Sequence, residues 1–321
     1  QAIERSRALS KVIDRPYPSA YDGLRTICNE RLRGVVSTLR ELNNETVVDE
    51  ALQTPLRLRR FRRATDRLSE IETIGATALA NADKHSSGLT KIVRDVCEEL
   101  AYPLVPPTVA NMSSSYLSIY SGFNLMLAPL LEGRFLLHLP DLYHELAHPF
   151  LDAENEDRTV LDPYRDAFRT CLIATKQHFA QQRHVALRQR EPDEVTVYLH
   201  LWEWLWINYW LEEFFCDAFA ALTCGPAFGW AHYHLVAKVS GDLFETPIGR
   251  KRSHPADDAR FRLILHSLRR RGFSDDAGDV SARWKHLVDV LSEQAPPEYL
   301  RCYPEYLLSL IVAEVEESIG A

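Results

Sequence analysis

Residues 144–148 read His-Glu-Leu-Ala-His, and this stretch is the strongest indication of a defined site in the chain. On a helix, residues four apart lie on the same face, so the imidazoles of His144 and His148 point in one direction. Two imidazoles in this arrangement supply two of the ligands of a zinc ion. Glu145 can then reach a water at the metal and accept its proton. The stretch therefore predicts a helix that carries a metal site.

Composition limits the classes of protein to which the chain can belong. Of its 321 residues 46% are hydrophobic, which is enough for a substantial core in one or two domains. The net charge of -8 argues against a general binder of nucleic acid or anionic membranes. The six cysteines form no CxxC pair, which favours a reducing, cytoplasmic location. No transmembrane segment is expected, because none is apolar over the roughly 18 residues that one requires.

Helical patterns run along most of the chain. Apolar spacing predicts a helix over 21–42, and Thr54-Pro55 is typical of a helix start with Pro55 at the first helical position. Pro140-Asp141 can open the motif helix, which Pro149 must kink or end directly after His148. Further helices are predicted over 87–100, 162–190, 193–224, 227–239, 254–271, 278–293 and 302–318.

A small sheet is predicted ahead of the motif. Three prolines between residues 101 and 109 end the helical N-terminal part, so the domain boundary is placed between 105 and 106. Two short strand patterns follow, at 116–120 and 124–127. An edge strand there could line a cleft and pair with an extended peptide. The predicted fold is mainly α (α+β), with an N-terminal helical region (1–105) and a domain holding the sheet and the motif (106–321).

A third metal ligand is available on the aromatic helix predicted over 193–224. Glu213 can ligate the metal, and Asp217, one turn on, can accept a hydrogen bond from the far nitrogen of a ligand imidazole. Two acids in an apolar helix would be costly if buried without partners, and a metal and a histidine are adequate partners. Glu212 is the competing ligand, although Cys216 rather than a carboxylate stands four positions on.

Three segments resemble the signature blocks of a known family. HELAH (144–148), EFFCD (213–217) and SHPADDAR (253–260) follow the order of the HExxH, ExxxD and His-Pro blocks of the CAAX-prenyl-endopeptidase and HtpX-like gluzincin metallopeptidases. The resemblance is confined to these motifs, and Cys216 stands where that family usually has a small apolar residue. It implies a zincin-like fold for residues 106–321 and zinc as the cofactor.

The resemblance also implies roles for individual residues. The zinc ligands are then His144, His148 and Glu213. The remaining site residues are Glu145 as general base, Asp217 in support of a ligand, and His254 and Arg260 near the site. His254 is the candidate for stabilising an oxyanion, and four further residues stay open for that role: Tyr143, His232, Tyr233 and His234.

The expected function is hydrolysis of peptide bonds in a peptide or protein substrate. A zinc-activated water would attack, with Glu145 as the general base. The alternative is a non-proteolytic protein that uses a zinc-binding zincin scaffold to bind a partner. The Arg-rich segment 57–67 is interpreted as a solvated helix face, with a patch for an acidic partner or nucleic acid as the competing interpretation.

Overall fold

The computed structural model describes residues 1–44, 50–82, 84–113, 116–129, 136–152, 155, 158–238, 241–249 and 252–320. Within these ranges the chain is mainly helical and contains one three-stranded sheet, which confirms the mainly α class predicted from the sequence. None of the helices described is both long and apolar enough to cross a bilayer. The chain divides into two compact units, Gln1–Leu136 and Leu137–Ala321.

The first unit begins with helices whose apolar stripes form its core. The helices are α1 (Ala2–Ile13), α2 (Asp22–Asn44), α3 (Glu50–Glu70), α4 (Thr77–Ala80) and α5 (Lys84–Glu99), with a π-helical turn at Ile71–Ala76 and 3-10 turns at Ser19–Tyr21 and Ser121–Phe123. The stripe predicted for α2 is buried, including Leu24 and Leu32. The predicted start at Pro55 is wrong, because α3 begins at Glu50 and tolerates Pro55 inside it at the loss of one backbone hydrogen bond.

The sheet of the first unit has three short strands. They are β1 (Thr108–Ser113), β2 (Ser118–Tyr120) and β3 (Leu125–Pro129), in the order β1-β3-β2. β1 runs parallel to β3, and β2 runs antiparallel to it. The two predicted strands are confirmed as β2 and β3. β1 was not predicted, because it directly follows the prolines and its sequence, Thr-Val-Ala-Asn-Met-Ser, has no clear apolar alternation.

The sheet packs on the N-terminal helices. Tyr21 Oη donates to the Val109 carbonyl at 3.1 Å, and the Val109 N–H donates to Thr90 Oγ1 at 3.0 Å. Phe123 and Leu125 belong to the same buried core as α1 to α4. The sheet is therefore part of the first unit and not, as the predicted boundary between 105 and 106 implied, of the domain that holds the motif helix. Strands this short bury their apolar side chains on existing helices instead of starting a separate core.

The Arg-rich segment lies on α3, and two of its arginines connect this helix to α2. Arg57 Nη2 donates to the Leu42 carbonyl at 2.7 Å, and Arg60 Nη2 donates to Glu41 Oε2 at 3.0 Å. Phe61, which directly precedes Arg62 and Arg63 in the segment, is 44% exposed. The contacts of Arg57 and Arg60 are internal to the unit, and a partner for the rest of the segment stays a prediction.

The second unit is built around one central helix, α9. Its helices are α6 (Asp141–Leu151), α7 (Asp162–Gln189), α8 (Asp193–Leu205), α9 (Leu211–Cys224), α10 (Pro226–Lys238), α11 (Asp257–Arg270), α12 (Ser274–Leu291), α13 (Tyr299–Cys302) and α14 (Glu305–Gly320). A 3-10 turn lies at Thr159–Leu161, and another, Leu136–His138, begins at the last residue of the first unit. α9 contacts α6, α7, α10, α11 and α14. Every residue from Phe214 to Leu222 is buried. Polar groups on α9 are therefore held inside the unit, where they require partners.

The aromatic helix predicted over 193–224 is interrupted by a π-helical segment at Trp206–Trp210, which joins α8 to α9. Most of its aromatic side chains are buried, although Trp204 is 42% exposed. The indole N–H of Trp206 donates to the Cys302 carbonyl at 2.9 Å, so this buried ring leaves no polar atom unpaired. The π-helical segment directly precedes the acidic residues at the start of α9.

Candidate metal centre

The motif helix α6 presents both histidines toward α9. It begins at Asp141 directly after Pro140, as the sequence predicts, and ends at Leu151. Pro149 lies inside the helix and does not end it at His148. His144 and His148 therefore stay one turn apart, and their Nε2 atoms are 3.3 Å apart.

This separation fits two ligands of one ion. Two nitrogens, each about 2.0–2.1 Å from a tetrahedrally coordinated zinc, are about 3.3 Å apart. The donor atoms of His144, His148 and Cys216 all lie within 4.8 Å of one another, so this group could hold a metal ion. Glu213 is not part of that compact group, but its Oε2 lies 3.6 Å from His144 Nε2.

The other ring nitrogen of each histidine contacts a carboxylate of α9. Asp217 Oδ1 lies 2.8 Å from His144 Nδ1, and Glu212 Oε1 lies 2.9 Å from His148 Nδ1. A carboxylate at Nδ1 holds the ring proton there, so the Nε2 lone pair is available to a metal and becomes more basic. Both imidazoles are thus oriented as metal ligands usually are.

The role of Glu212 was missed by sequence reasoning, which treated it only as a competing ligand. The later histidine of α6 pairs with the earlier acid of α9, and the earlier histidine with the later acid. This order is the one expected where two helices run antiparallel past each other. The sequence therefore contained a signal for these two contacts: His144 and His148 are one turn apart on one helix, and Glu212 and Asp217 are five residues apart on another.

Asp217 is held from its other side by Arg260 of α11. Arg260 Nε donates to Asp217 Oδ2 at 2.7 Å and Nη2 donates to Oδ1 at 2.7 Å, which is a two-point contact. Asp217 is 0% exposed. Burial alone would raise the pKa of its carboxyl, but the charge and hydrogen bonds of Arg260 and the contact with His144 outweigh burial and lower it. Arg260 therefore keeps a buried carboxylate ionised against the His144 ring.

The charges around the histidines favour a cation between them. Burial would lower the pKa of His144, but hydrogen bonds and charges of Asp217 and Glu213 outweigh it and raise the pKa to about 10. Burial would likewise raise the pKa of Glu213, and His144 with Arg260 lowers it to about 2. Carboxylates that stabilise a proton on His144 would also stabilise a metal ion in the place of that proton.

Glu145 follows the first histidine on α6 and is half-buried. Its carboxylate has no hydrogen bond or ion pair within the described ranges of the chain. A carboxylate that has no hydrogen bond or ion pair within the described ranges, next to histidines that could hold a metal, is suited to accept a proton.

His254 lies on the connector between α10 and α11. Its side chain is 64% exposed, and its Nε2 is 3.9 Å from Glu213 Oε2. The connector is fixed by the indoles of Trp202 and Trp210, which donate to the carbonyls of Pro247 at 2.8 Å and Arg252 at 3.1 Å. The aromatic helix therefore positions His254 as well as Glu213.

The alternative candidates for oxyanion stabilisation have other surroundings. Tyr143 and Tyr233 pack on the core formed mainly by α10, α11 and α12. The His234 ring packs edge-on against His138, with centroids 5.4 Å apart. His232 is buried, and burial followed by the charge of Arg260 lowers its pKa to about 3. His254 is the candidate with an exposed ring and a direct approach to Glu213.

Comparison with known proteins adds no assignment. No protein-family model matches the chain, no curated protein matches it, and no solved structure matches it. The resemblance of the three motif blocks to gluzincin peptidases therefore rests on the motif residues alone.

Proposed function

We propose that this chain is a zinc-dependent peptidase of the gluzincin type, with its centre in the second unit and a zincin-like arrangement of α6 and α9. The observation that carries the proposal is the pair of imidazoles with Nε2 atoms 3.3 Å apart, each with its own carboxylate behind it. Imidazole nitrogens combined with carboxylate or thiolate donors suit zinc, whereas magnesium and calcium prefer oxygen ligands.

The proposed ligands are His144, His148 and Glu213. Glu213 Oε2 is already 3.6 Å from His144 Nε2, so a small rotation of its flexible side chain would bring it to the distance expected between two ligands of one zinc ion. Three protein ligands leave one position for water, which is the arrangement of catalytic rather than structural zinc sites. Asp217 and Glu212 orient the two histidines and do not themselves ligate.

The remaining residues account for hydrolysis. When bound, zinc lowers the pKa of a water to about 7 and polarises a carbonyl. Glu145 accepts the proton of the attacking water and passes it to the leaving amine. His254 donates an N–H to the oxygen on which negative charge develops. Arg260 is a positioning residue, since it acts on the His144 ring through Asp217.

Removing the metal is expected to abolish peptide cleavage. The purified chain is incubated with a mixture of peptides of diverse sequence, and products are identified by mass spectrometry. Treatment with 1,10-phenanthroline should stop cleavage, and added Zn²⁺ but not Mg²⁺ should restore it, because the donors include two imidazoles. Circular dichroism shows whether the treated protein stays folded. Cleavage that continues in the folded, metal-free protein would contradict the proposal.

Replacing Glu212 by glutamine is expected to weaken zinc binding about 10–100-fold while the fold is kept. The neutral amide no longer attracts the Nδ1 proton of His148, and the ligand becomes less basic. Glu212 is half-exposed, so its loss costs little stability. Zinc affinity is measured by competition with a chelating dye, with Glu194→Gln on the exposed start of α8 as the control. An unchanged zinc affinity would contradict the role of Glu212 in orienting the ligand His148.

A further inference from the structure

Cys216 lies on α9 between residues of the proposed centre. Its side chain is 0% exposed, and its Sγ lies within 4.8 Å of the donor nitrogens of both His144 and His148. A buried thiol usually has apolar neighbours, in which case it behaves as a small hydrophobic residue. Cys216 instead shares its position with the two histidines, and burial together with the charges of four carboxylates raises the pKa of its thiol: Glu145, Glu212, Glu213 and Asp217.

The other buried cysteines do not share this setting. They lie on other elements of the fold and are Cys28, Cys97, Cys171 and Cys302. Within the described ranges none of them belongs to a group of side chains that could hold a metal. Cys216 therefore differs from the other buried cysteines in that its sulfur lies near two histidine nitrogens.

We propose that Cys216 is a direct ligand of the metal at this centre. The proposal rests on the proposed function, from which it takes zinc as the ion. Thiolate sulfur at about 2.3 Å is among the preferred ligands of zinc, and a coordinating thiol is deprotonated by the metal itself. Glu213 and Cys216 are three residues apart on α9, so both can face the histidines of α6.

Four protein donors change what the centre can do. If Cys216 binds beside His144, His148 and Glu213, four protein donors would hold the zinc, which is the number typical of a structural site and leaves no position for water. Binding of the sulfur would release the thiol proton to solvent and displace the water, and release of the sulfur would return a proton to the thiol and a water to the metal. No electron is transferred in either direction. The bound state is latent, and the released state is the hydrolytic one.

X-ray absorption at the zinc edge tests the ligand directly in the intact wild-type protein. We expect one sulfur at about 2.3 Å together with nitrogen or oxygen donors at about 2.0–2.1 Å. The sulfur contribution should disappear in Cys216→Ala and persist in Cys171→Ala, which removes a buried thiol of α7. A shell of nitrogen and oxygen alone would overturn the role of Cys216 and leave the proposed function standing. A protein that binds no zinc would overturn both.

The latency is tested by activity. Cys216→Ala, which cannot ligate, is expected to raise the turnover of peptide cleavage several-fold at full zinc occupancy, whereas Cys171→Ala leaves it unchanged. If Cys216→Ala does not fold, Cys216→Ser keeps the size of the side chain and replaces the thiolate by a much weaker ligand. Turnover that stays equal or falls in the folded, zinc-loaded variant would overturn the latent state.

Discussion

Replacing Glu145 by glutamine is expected to lower the turnover number for peptide cleavage by about 10²–10⁴-fold, which is the usual contribution of general acid–base catalysis. The amide keeps the shape of the side chain but cannot accept a proton from the attacking water. Glu145 has no hydrogen bond or ion pair within the described ranges, so its replacement breaks no contact that supports the fold. The zinc content should therefore stay at the wild-type level.

Activity and zinc content are measured on the same preparation of Glu145→Gln. Glu194→Gln, at the exposed start of α8, is the matched control and should retain both. Zinc retained with activity lost supports the peptidase. Zinc retained with activity unchanged would remove Glu145 from the mechanism. A wild-type protein that binds zinc and cleaves no peptide would favour the alternative, a zinc-binding protein that acts through a partner.

Replacing Arg260 by methionine is expected to lower the free energy of unfolding of the second unit by about 3 kcal/mol. Breaking a buried ion pair by removing one partner costs about 3–5 kcal/mol, because the other charge stays buried without compensation. We expect a cost at the lower end of this range, because His144 still contacts Asp217 and partly compensates its charge in the variant. All six tryptophans belong to the second unit, so tryptophan fluorescence in a urea titration of the metal-free protein follows its unfolding.

Two further variants separate a buried pair from a surface contact. Arg270→Met removes an arginine of the same helix that pairs with Glu316 near the surface, and should cost about 1 kcal/mol or less. Asp217→Asn combined with Arg260→Met removes both buried charges and should be more stable than Arg260→Met alone. Equal losses in Arg260→Met and Arg270→Met would contradict the assigned role of the pair.

The cost of Arg260→Met is also expected to depend on pH. Although burial favours the neutral carboxyl, Arg260 and His144 lower the pKa of Asp217, so its contribution to stability is present above its unfolded pKa of about 3.9 and is lost as the pH falls through the folded value. Without Arg260 the pKa of Asp217 rises. The carboxyl of the variant then becomes protonated at a higher pH than that of the wild type, so the difference in unfolding free energy between the two proteins shrinks as the pH is lowered. A difference in unfolding free energy between wild type and variant that grows as the pH is lowered would contradict this pH dependence.

The sequence predicts which side chains come together where their spacing on a helix determines their positions. His144 and His148 are four residues apart, and so are Glu213 and Asp217, and the structure brings all four side chains together. Arg260 and His254 followed only from the resemblance, and the structure places Arg260 on Asp217 and His254 beside Glu213. Glu212 and Cys216 were not assigned as site residues, because their roles depend on how α6 crosses α9.

The limits of sequence reasoning in the first unit have a similar cause. β1 was missed because the partner that defines it lies outside the segment: its residues pair with residues of β3 that are 16 or 17 positions further along the chain. The same contacts place the sheet with the N-terminal helices, whereas the prolines before it suggested a boundary. Local signals such as proline mark the ends of elements, but long-range packing decides which elements share a core.

The zinc content of the purified protein tests the central claim most directly. We expect about one zinc ion per chain by mass spectrometry, and none retained after dialysis in a His144→Ala, His148→Ala double variant that is still folded by tryptophan fluorescence. A control double variant, His200→Ala with His286→Ala, should retain it. Wild-type protein that neither contains zinc nor takes it up when zinc is added would contradict the metal centre, and with it the proposed function.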